Sequence, residues 1–485
     1  MVFTRPTTTT KTTTLVPTLA IATALLAGCG GHDSKKNKSS ATAPVTSAPV
    51  NSNNNNNNNN TGGGTLDVAS VQTLATARIA ADAVVLALEL SAGGADPVEL
   101  TSLTISAKGS LDESTGLGEL KLVGDDNQNG LVDAGEPVLA TVAAPAFSQD
   151  DGSVSVSLNQ AIQIAPSAKL RLLVAVDASA VGAAAVAKIG KTVELEIAAA
   201  GDLAVTSLAQ PITPGGSFPV SGGPVTLFLH DHLLISEVVT LPVAGEYVEV
   251  FNPTGAAIDL SNYYLTDLSV QGAPTSPYHL VPTGAGFTVP TNITTDFLVR
   301  FPQGATIAPG QAKVVAVDAT AFQTTYQVVP DFCLRNPIQG SALMLNFAAG
   351  NWTAAPAQTG AGLTDNGELV YVFHWDGQSD LVQDVDYVFW GTSSAANAHI
   401  EKTGLTVDGP DADTTPSAFL TDSPAFQQDS RNATRPVFPN GALQRIEFTE
   451  MGEGLTSGNG ITGNDETSEP WNTNFAVGVP TPGAP

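Results

Sequence analysis

Oxygen-bearing side chains recur at close to every second position in the run DDNQNGLVDAGE (residues 125–136): Asp125, Asn127, Asn129, then Asp133 and Glu136, with Gly130 in the middle. The run fits D-x-[DN]-x-[DN]-G-x₅-E without a mismatch. Alternate side chains and the Leu131 carbonyl can wrap one hard cation, the glycine permits the sharp turn, and a glutamate at the twelfth position can close the shell with both oxygens. With three carboxylates among the ligating positions, the expected cofactor is calcium, bound weakly and structurally with a Kd on the order of 10⁻⁴–10⁻³ M.

Other groups with possible chemistry are sparser. His230 and His232 flank Asp231 and would share one face of a strand, which could begin a metal site, but no third ligand is close in sequence. An interdomain or strand-edge role is the expectation for this pair. Asp376, Asp380, Asp384 and Asp386 form one acidic cluster, and Asp408, Asp411 and Asp413 another. Either could hold a second calcium ion, with solvated turns as the default. Cys333 reads as a small buried residue. The chain contains no G-x-S-x-G elbow, no H-E-x-x-H and no phosphate or dinucleotide loop, so no catalytic residue is assigned.

The chain that must position these groups has 485 residues, 42% of them apolar and only 13% charged, with 46 glycines and 32 prolines. Such a composition supports two or more turn-rich β cores. Five of the 19 basic residues (Arg5, Lys11, Lys35, Lys36, Lys38) and one of the 46 acidic ones (Asp33) fall within residues 1–65, so the remainder holds 14 basic and 45 acidic side chains, a net of −31. A body that acidic repels phosphate backbones, which argues against nucleic acid as a direct partner.

Arg5 and Lys11 precede the apolar stretch LVPTLAIATALL (15–26), which has signal-peptide length, and the sequence LAGC (26–29) follows at once. This arrangement resembles the lipobox of bacterial lipoproteins. The resemblance implies removal of residues 1–28, lipid on Cys29 and a membrane anchor. Gly30 after the cysteine, in place of the aspartate that favours inner-membrane retention in such proteins, implies outer-membrane delivery. Consumption of Cys29 would leave Cys333 without a partner and exclude a disulfide within the mature monomer. Residues 29–65 are rich in Asn, Ser and Gly and lack large apolar side chains, so they form a disordered linker. Its end-to-end span is on the order of 30–36 Å.

From residue 66 to 222, period-two runs recur at 84–90 (VVLALEL), 98–105 (VELTSLTI), 154–158 (VSVSL), 170–176 (LRLLVAV) and 193–197 (VELEI), separated by turn-forming segments. They predict an antiparallel sandwich. The acidic run 125–136 lies between two further strands, LKLV (120–123) and VLATV (138–142), and not between helices. It resembles the EF-hand-like calcium loops inserted between strands in bacterial surface sandwiches.

Residues 228–400 contain LLISEV (233–238), GEYVEVFNPTG (245–255) and IDLSNYYLTD (258–267), followed by ATIAPGQAKVVA (305–316), LTDNGELVYVF (363–373) and LVQDVDYV (381–388). In this order the blocks resemble the lamin-tail domain, an immunoglobulin-like sandwich of nuclear lamins and secreted bacterial proteins. Residues 268–304 and 318–362 exceed the loops of compact family members, so any surface they build is particular to this chain. Residues 401–485, with LQRI (443–446), GNGITGNDETSE (458–469) and PTPG (480–483), resemble the extension that follows bacterial examples, and Trp471 and Phe475 offer apolar anchors for wrapping it on the sandwich.

The expectation is therefore an all-β chain with two β-sandwich modules, the second immunoglobulin-like and of lamin-tail type. It is a lipid-anchored cell-envelope protein that acts as a non-catalytic binding or scaffolding module. Its expected partners are the membrane, through Cys29, and envelope polysaccharide or protein. Two other classes stay open: a metal-dependent extracytoplasmic hydrolase using acidic loops, and a calcium-stiffened structural spacer.

Overall fold

The computed structural model describes residues 63–71, 74–180, 183–268, 295–348, 351–357, 359–365, 367–391, 399–431, 441–450, 452–454 and 456–485. The segment 1–28, Cys29, the linker up to residue 62 and most of 268–304 lie outside the described residues.

The chain is all-β. Alternating apolar residues in the first part build two sheets that face each other. One is five-stranded, in the order Gly64–Ser70, Ala83–Gly94, Lys169–Val176, Leu120–Gly124, Val138–Val142, with every neighbouring pair antiparallel. The other is eight-stranded and centred on Val98–Gly109, which pairs with Ser153–Ile164, Thr192–Ile197 and Leu203–Ser207. Leu86, Leu88, Leu122 and Val174 from the first sheet meet Leu100, Ile105 and Leu195 from the second in one buried cluster. The sandwich expected from period-two patterning is thus formed. Val225–Phe228 also joins it, pairing with Thr192–Ile197 and, in parallel, with Thr76–Arg78.

The second sandwich packs a seven-stranded sheet against a six-stranded one. The seven-stranded sheet runs Ala342–Leu343, Phe332–Arg335, Ala312–Asp318, Tyr247–Phe251, Leu234–Val239, Ala442–Arg445, Phe475–Gly478. Its partner runs Asn351–Thr353, Leu345–Ala348, Leu298–Arg300, Tyr263–Thr266, Gly367–His374, Gln383–Gly391. Val248, Val250 and Leu443 point into a core shared with Tyr264, Tyr371 and Phe389.

Two expectations change here. Residues 318–362 are not a long loop. They hold the helix Ala319–Tyr326 and strands of both sheets, and the helix caps the outer sheet face through Phe322 and Tyr326 against Tyr247. Residues 401–485 do more than wrap. Ala442–Arg445 pairs antiparallel with Leu234–Val239, and Phe475–Gly478 pairs with it in turn, because the free edge of Leu234–Val239 offers unmet backbone donors and acceptors. Trp471 is buried and donates its indole N–H to the Tyr387 carbonyl at 2.6 Å.

The sandwiches share apolar contacts. Leu234, Phe251 and Phe448 belong to the buried cluster of the first, with the Phe251 and Phe448 rings edge to face at 5.2 Å. The bend 229–233 connects the two bodies at this point.

Candidate metal centre

In the run 125–136 the predicted ligands bond one another and the loop's own backbone. Asp125 accepts from the backbone N–H groups of Asn129 at 3.0 Å and Gly130 at 3.3 Å, and the Asn127 and Asn129 amides both donate to Asp133 Oδ2, at 2.7 and 2.6 Å. Glu136 folds back over the loop, accepting from Asp126 N at 3.1 Å and Asp133 N at 3.0 Å. Gly130 has φ +77°, which a β-carbon would resist. Leu131 is exposed, and its backbone N–H donates to Asn129 Oδ1 at 2.8 Å. Val132 packs on Ala87, Val123 and Leu173, so the loop lies against the outer face of the five-stranded sheet. The amide hydrogen bonds hold the Asp133 carboxyl below its usual range.

A second constellation is buried at the junction of the sandwiches. His230 and His232 sit in the bend between Val225–Phe228 and Leu234–Val239, not on a strand, with their rings edge to face at 4.3 Å. The third group absent from their sequence neighbourhood arrives from the C-terminal extension: Glu450 Oε2 lies 3.2 Å from His230 Nε2 and 3.3 Å from His232 Nε2, and Glu466 Oε1 lies 3.6 Å from His232 Nε2. Asp386 brings a further carboxylate within 4.8 Å of those of Glu450 and Glu466. All five side chains are buried.

Local structure sets each of these atoms in place. His232 Nδ1 lies 3.0 Å from the Leu233 carbonyl, an acceptor only, so Nδ1 carries a proton and Nε2 is the ring atom that faces Glu450 and the Asn464 amide. Glu450 adopts φ +52°, a conformation that costs a side-chain-bearing residue on the order of 1 kcal/mol and that aims its carboxylate inward. The segment that returns Glu466 is glycine-rich because it must be tight: a β-carbon on Gly460 would come within 1.9 Å of Asn464 Oδ1. Asn464 donates to Glu466 Oε1 at 2.6 Å and Glu453 Oε1 at 3.0 Å.

Arg445 is the cation described within the cluster. It reaches Asp386 and Glu469 at 2.6 Å each, donates to the Ile235 carbonyl at 2.8 Å, and stands 3.6 Å from Glu450 Oε1. Five carboxyls (Asp386, Glu450, Glu453, Glu466, Glu469) therefore share one guanidinium and two imidazoles in a buried cluster. Among the described residues, neither oxygen of Glu450 accepts a hydrogen bond, and Oε2 of Glu453, Glu466 and Glu469 accepts none. Burial raises the Glu466 carboxyl well above its usual range and Glu469 to about 8, and it lowers His230 to about 4. For His232 burial is again the largest influence and acts downward, but Glu450, the Leu233 carbonyl and Asp386 together outweigh it and the ring is raised.

Of these groups only His230, His232 and Asp386 stand out from the sequence alone. Glu450 and Glu466 lie more than 200 residues beyond the histidines, and their signal was confined to acidic residues recurring in a glycine-rich stretch with little base nearby. The other acidic candidates are internally paired. Asp384 and Asp422 hold the buried Lys402 at 2.7 and 3.1 Å, Asp376 accepts from the N–H groups of Gln378 and Ser379, and Asp380 accepts from Gly409 N and Ser417 Oγ. Asp411 and Asp413 accept backbone N–H groups in their own turn, and Asp408 stands near Asp380 and Asp411. Cys333 is buried, and burial pushes its thiol up.

No protein-family model matches this chain, and no curated protein matches it. Among solved structures, a DUF4876 family protein from Bacteroides thetaiotaomicron matches with a TM-score of 0.31 at 11% identity, over 75% of this chain and 92% of that one. Red sea bream transglutaminase matches with a TM-score of 0.18 at 9% identity, over 67% of this chain and 29% of that one. The E. coli chaperone DraB matches with a TM-score of 0.14 at 12% identity, over 50% of this chain and 94% of that one. Likenesses at these TM-scores assign nothing to this chain.

Proposed function

We propose that this protein is an extracytoplasmic lipoprotein, anchored through lipid on Cys29 to the outer membrane, whose two sandwiches serve as a non-catalytic binding or scaffolding module. In this reading the second sandwich is of lamin-tail, immunoglobulin-like type, and calcium held by Asp125, Asn127, Asn129, Leu131, Asp133 and Glu136 stiffens the hairpin between the strands of the first. The partner is an envelope polysaccharide or protein. The observation that carries the reading is the order of segments: a positive start, an apolar stretch, LAGC, a polar spacer, and then two β bodies that share an apolar junction. That order suits a body held away from a lipid surface by a flexible tether.

Cell fractionation tests the anchor. Wild-type protein is expected in the membrane fraction and the Cys29→Ala variant in the soluble one; a variant that stays with the membrane sinks the reading. Protease treatment of intact cells then reports which side of the outer membrane the body faces. A metal-dependent hydrolase is the second reading, favoured by one feature: His230 and His232 line a cleft of about 400 Å³ together with Thr76, Phe228 and Thr254. A chelator that abolishes turnover of some substrate would favour the hydrolase, whereas loss of thermal stability alone favours the scaffold.

A further inference from the structure

We infer that His230, His232, Glu450 and Glu466 form a binding site for one divalent transition-metal ion of the zinc class, separate from the 125–136 loop, and that the ion fastens the C-terminal extension to the junction of the sandwiches. Three independent observations converge on this.

The first is spacing. Tetrahedral ligands at about 2.0–2.1 Å from a metal stand about 3.3–3.4 Å from one another. The measured separations of 3.2 Å (His230 Nε2 to Glu450 Oε2), 3.3 Å (His232 Nε2 to Glu450 Oε2) and 3.6 Å (His232 Nε2 to Glu466 Oε1) bracket that value.

The second is unmet bonding capacity. Glu450 is only 1% exposed and meets His230, His232 and Arg445 at 3.2–3.6 Å without a hydrogen bond of good geometry, and among the described residues Glu466 Oε2 accepts none. A buried carboxylate left in that state is costly, and a cation bound between these atoms removes the cost.

The third is preparation of the ligands. The Leu233 carbonyl holds the His232 ring in the tautomer that presents Nε2, as a backbone carbonyl behind a metal-bound imidazole does. Asn464 donates to the facing oxygen of Glu466, Oε1, at 2.6 Å and lies 3.2 Å from His232 Nε2, and Arg445 holds Asp386 at 2.6 Å, so the side chains are already held at the point where an ion would share or displace those bonds.

Imidazole nitrogen with carboxylate oxygen selects a zinc-like ion, since calcium takes oxygen ligands alone. The ligands come from the bend 229–233 and from the segments after Ala442–Arg445, so the ion crosslinks parts of the chain more than 200 residues apart.

The test uses the full chain, stripped with a chelator, reconstituted with zinc or cobalt(II) and desalted. About one equivalent of metal per chain is expected, with the visible absorption of tetrahedral cobalt and, by X-ray absorption at the zinc edge, imidazole nitrogen in the coordination sphere at about 2.0–2.1 Å. Glu136→Gln, which lies in the other loop, should keep this metal. His230→Gln and Glu450→Gln, each checked for wild-type circular dichroism, should lower its retention at least tenfold. Folded wild-type protein that holds less than about 0.2 equivalents of either metal overturns the proposal, independently of how any variant folds. So does an all-oxygen coordination sphere, or a folded His230→Gln variant that retains the metal fully.

Discussion

Glu249 lies in the middle of Tyr247–Phe251, where both sheet faces are covered, and takes hydrogen bonds from Ser236 Oγ at 2.7 Å and from Gly483 N. Burial, only partly offset by those bonds, raises its carboxyl to about 7. The folded state then keeps a proton that the unfolded chain releases, so Glu249 lowers stability as pH rises from the ordinary carboxyl range through about 7. Glu249→Gln removes that dependence. Denaturant titrations at pH 5 and pH 8 should show the variant gaining on the wild type by on the order of 1–3 kcal/mol between the two. A difference independent of pH would mean that Glu249 ionises as an exposed residue does. The covering was not legible in the strand itself. Alternation of Tyr247, Glu249 and Phe251 with Val248 and Val250 indicates two faces, but only the tail around Thr481 and Gly483 and the helix Ala319–Tyr326 make the second one dry.

Among the elements, the hairpin carrying 125–136 was the most legible, because its two strands and the glycine of its loop are set by neighbouring residues. Calorimetry with calcium should give a Kd on the order of 10⁻⁴–10⁻³ M, and about 10 mM calcium should add roughly 1.4–2.7 kcal/mol of stability. Glu136→Gln, which takes away one of the closing oxygens, should remove most of both effects; an unchanged titration would show that the loop merely caps itself. The helix Ala319–Tyr326 was less legible. Asp318 caps it by accepting from Ala321 N at 3.1 Å, and Gln327 ends it at φ +60°, but its threonines are weak helix formers and the segment reads as part of a long loop. The strand Ala442–Arg445 overlaps LQRI (443–446), which reads only as part of the extension, with nothing nearby to say that its partner would be Leu234–Val239.

As a whole, the described body couples two sandwiches through a few large side chains. Phe448 follows the second sandwich's strand Ala442–Arg445, yet it packs in the first sandwich's core against Phe251, and the buried carboxylate cluster sits at the same junction. Differential scanning calorimetry should therefore show the two sandwiches melting together. Phe448→Ala, expected to cost about 3–5 kcal/mol, should separate the transition into two. Two transitions in the wild type would show that the junction does not couple them.

Period-two alternation, turn-forming glycines and the spacing from Asp125 to Glu136 are properties of neighbouring residues, so the sequence by itself determined the all-β class and the place of many of the strands among the described residues. The pairing of Glu450 and Glu466 with His230 and His232 depends on which edge the C-terminal strands find. Backbone hydrogen bonding at an open edge is nearly indifferent to side-chain identity, so no local pattern announces that choice. Only the tertiary structure decided it, by packing Trp471, Phe475 and Phe448 into two different cores and thereby bringing five carboxyls and two imidazoles to one dry point.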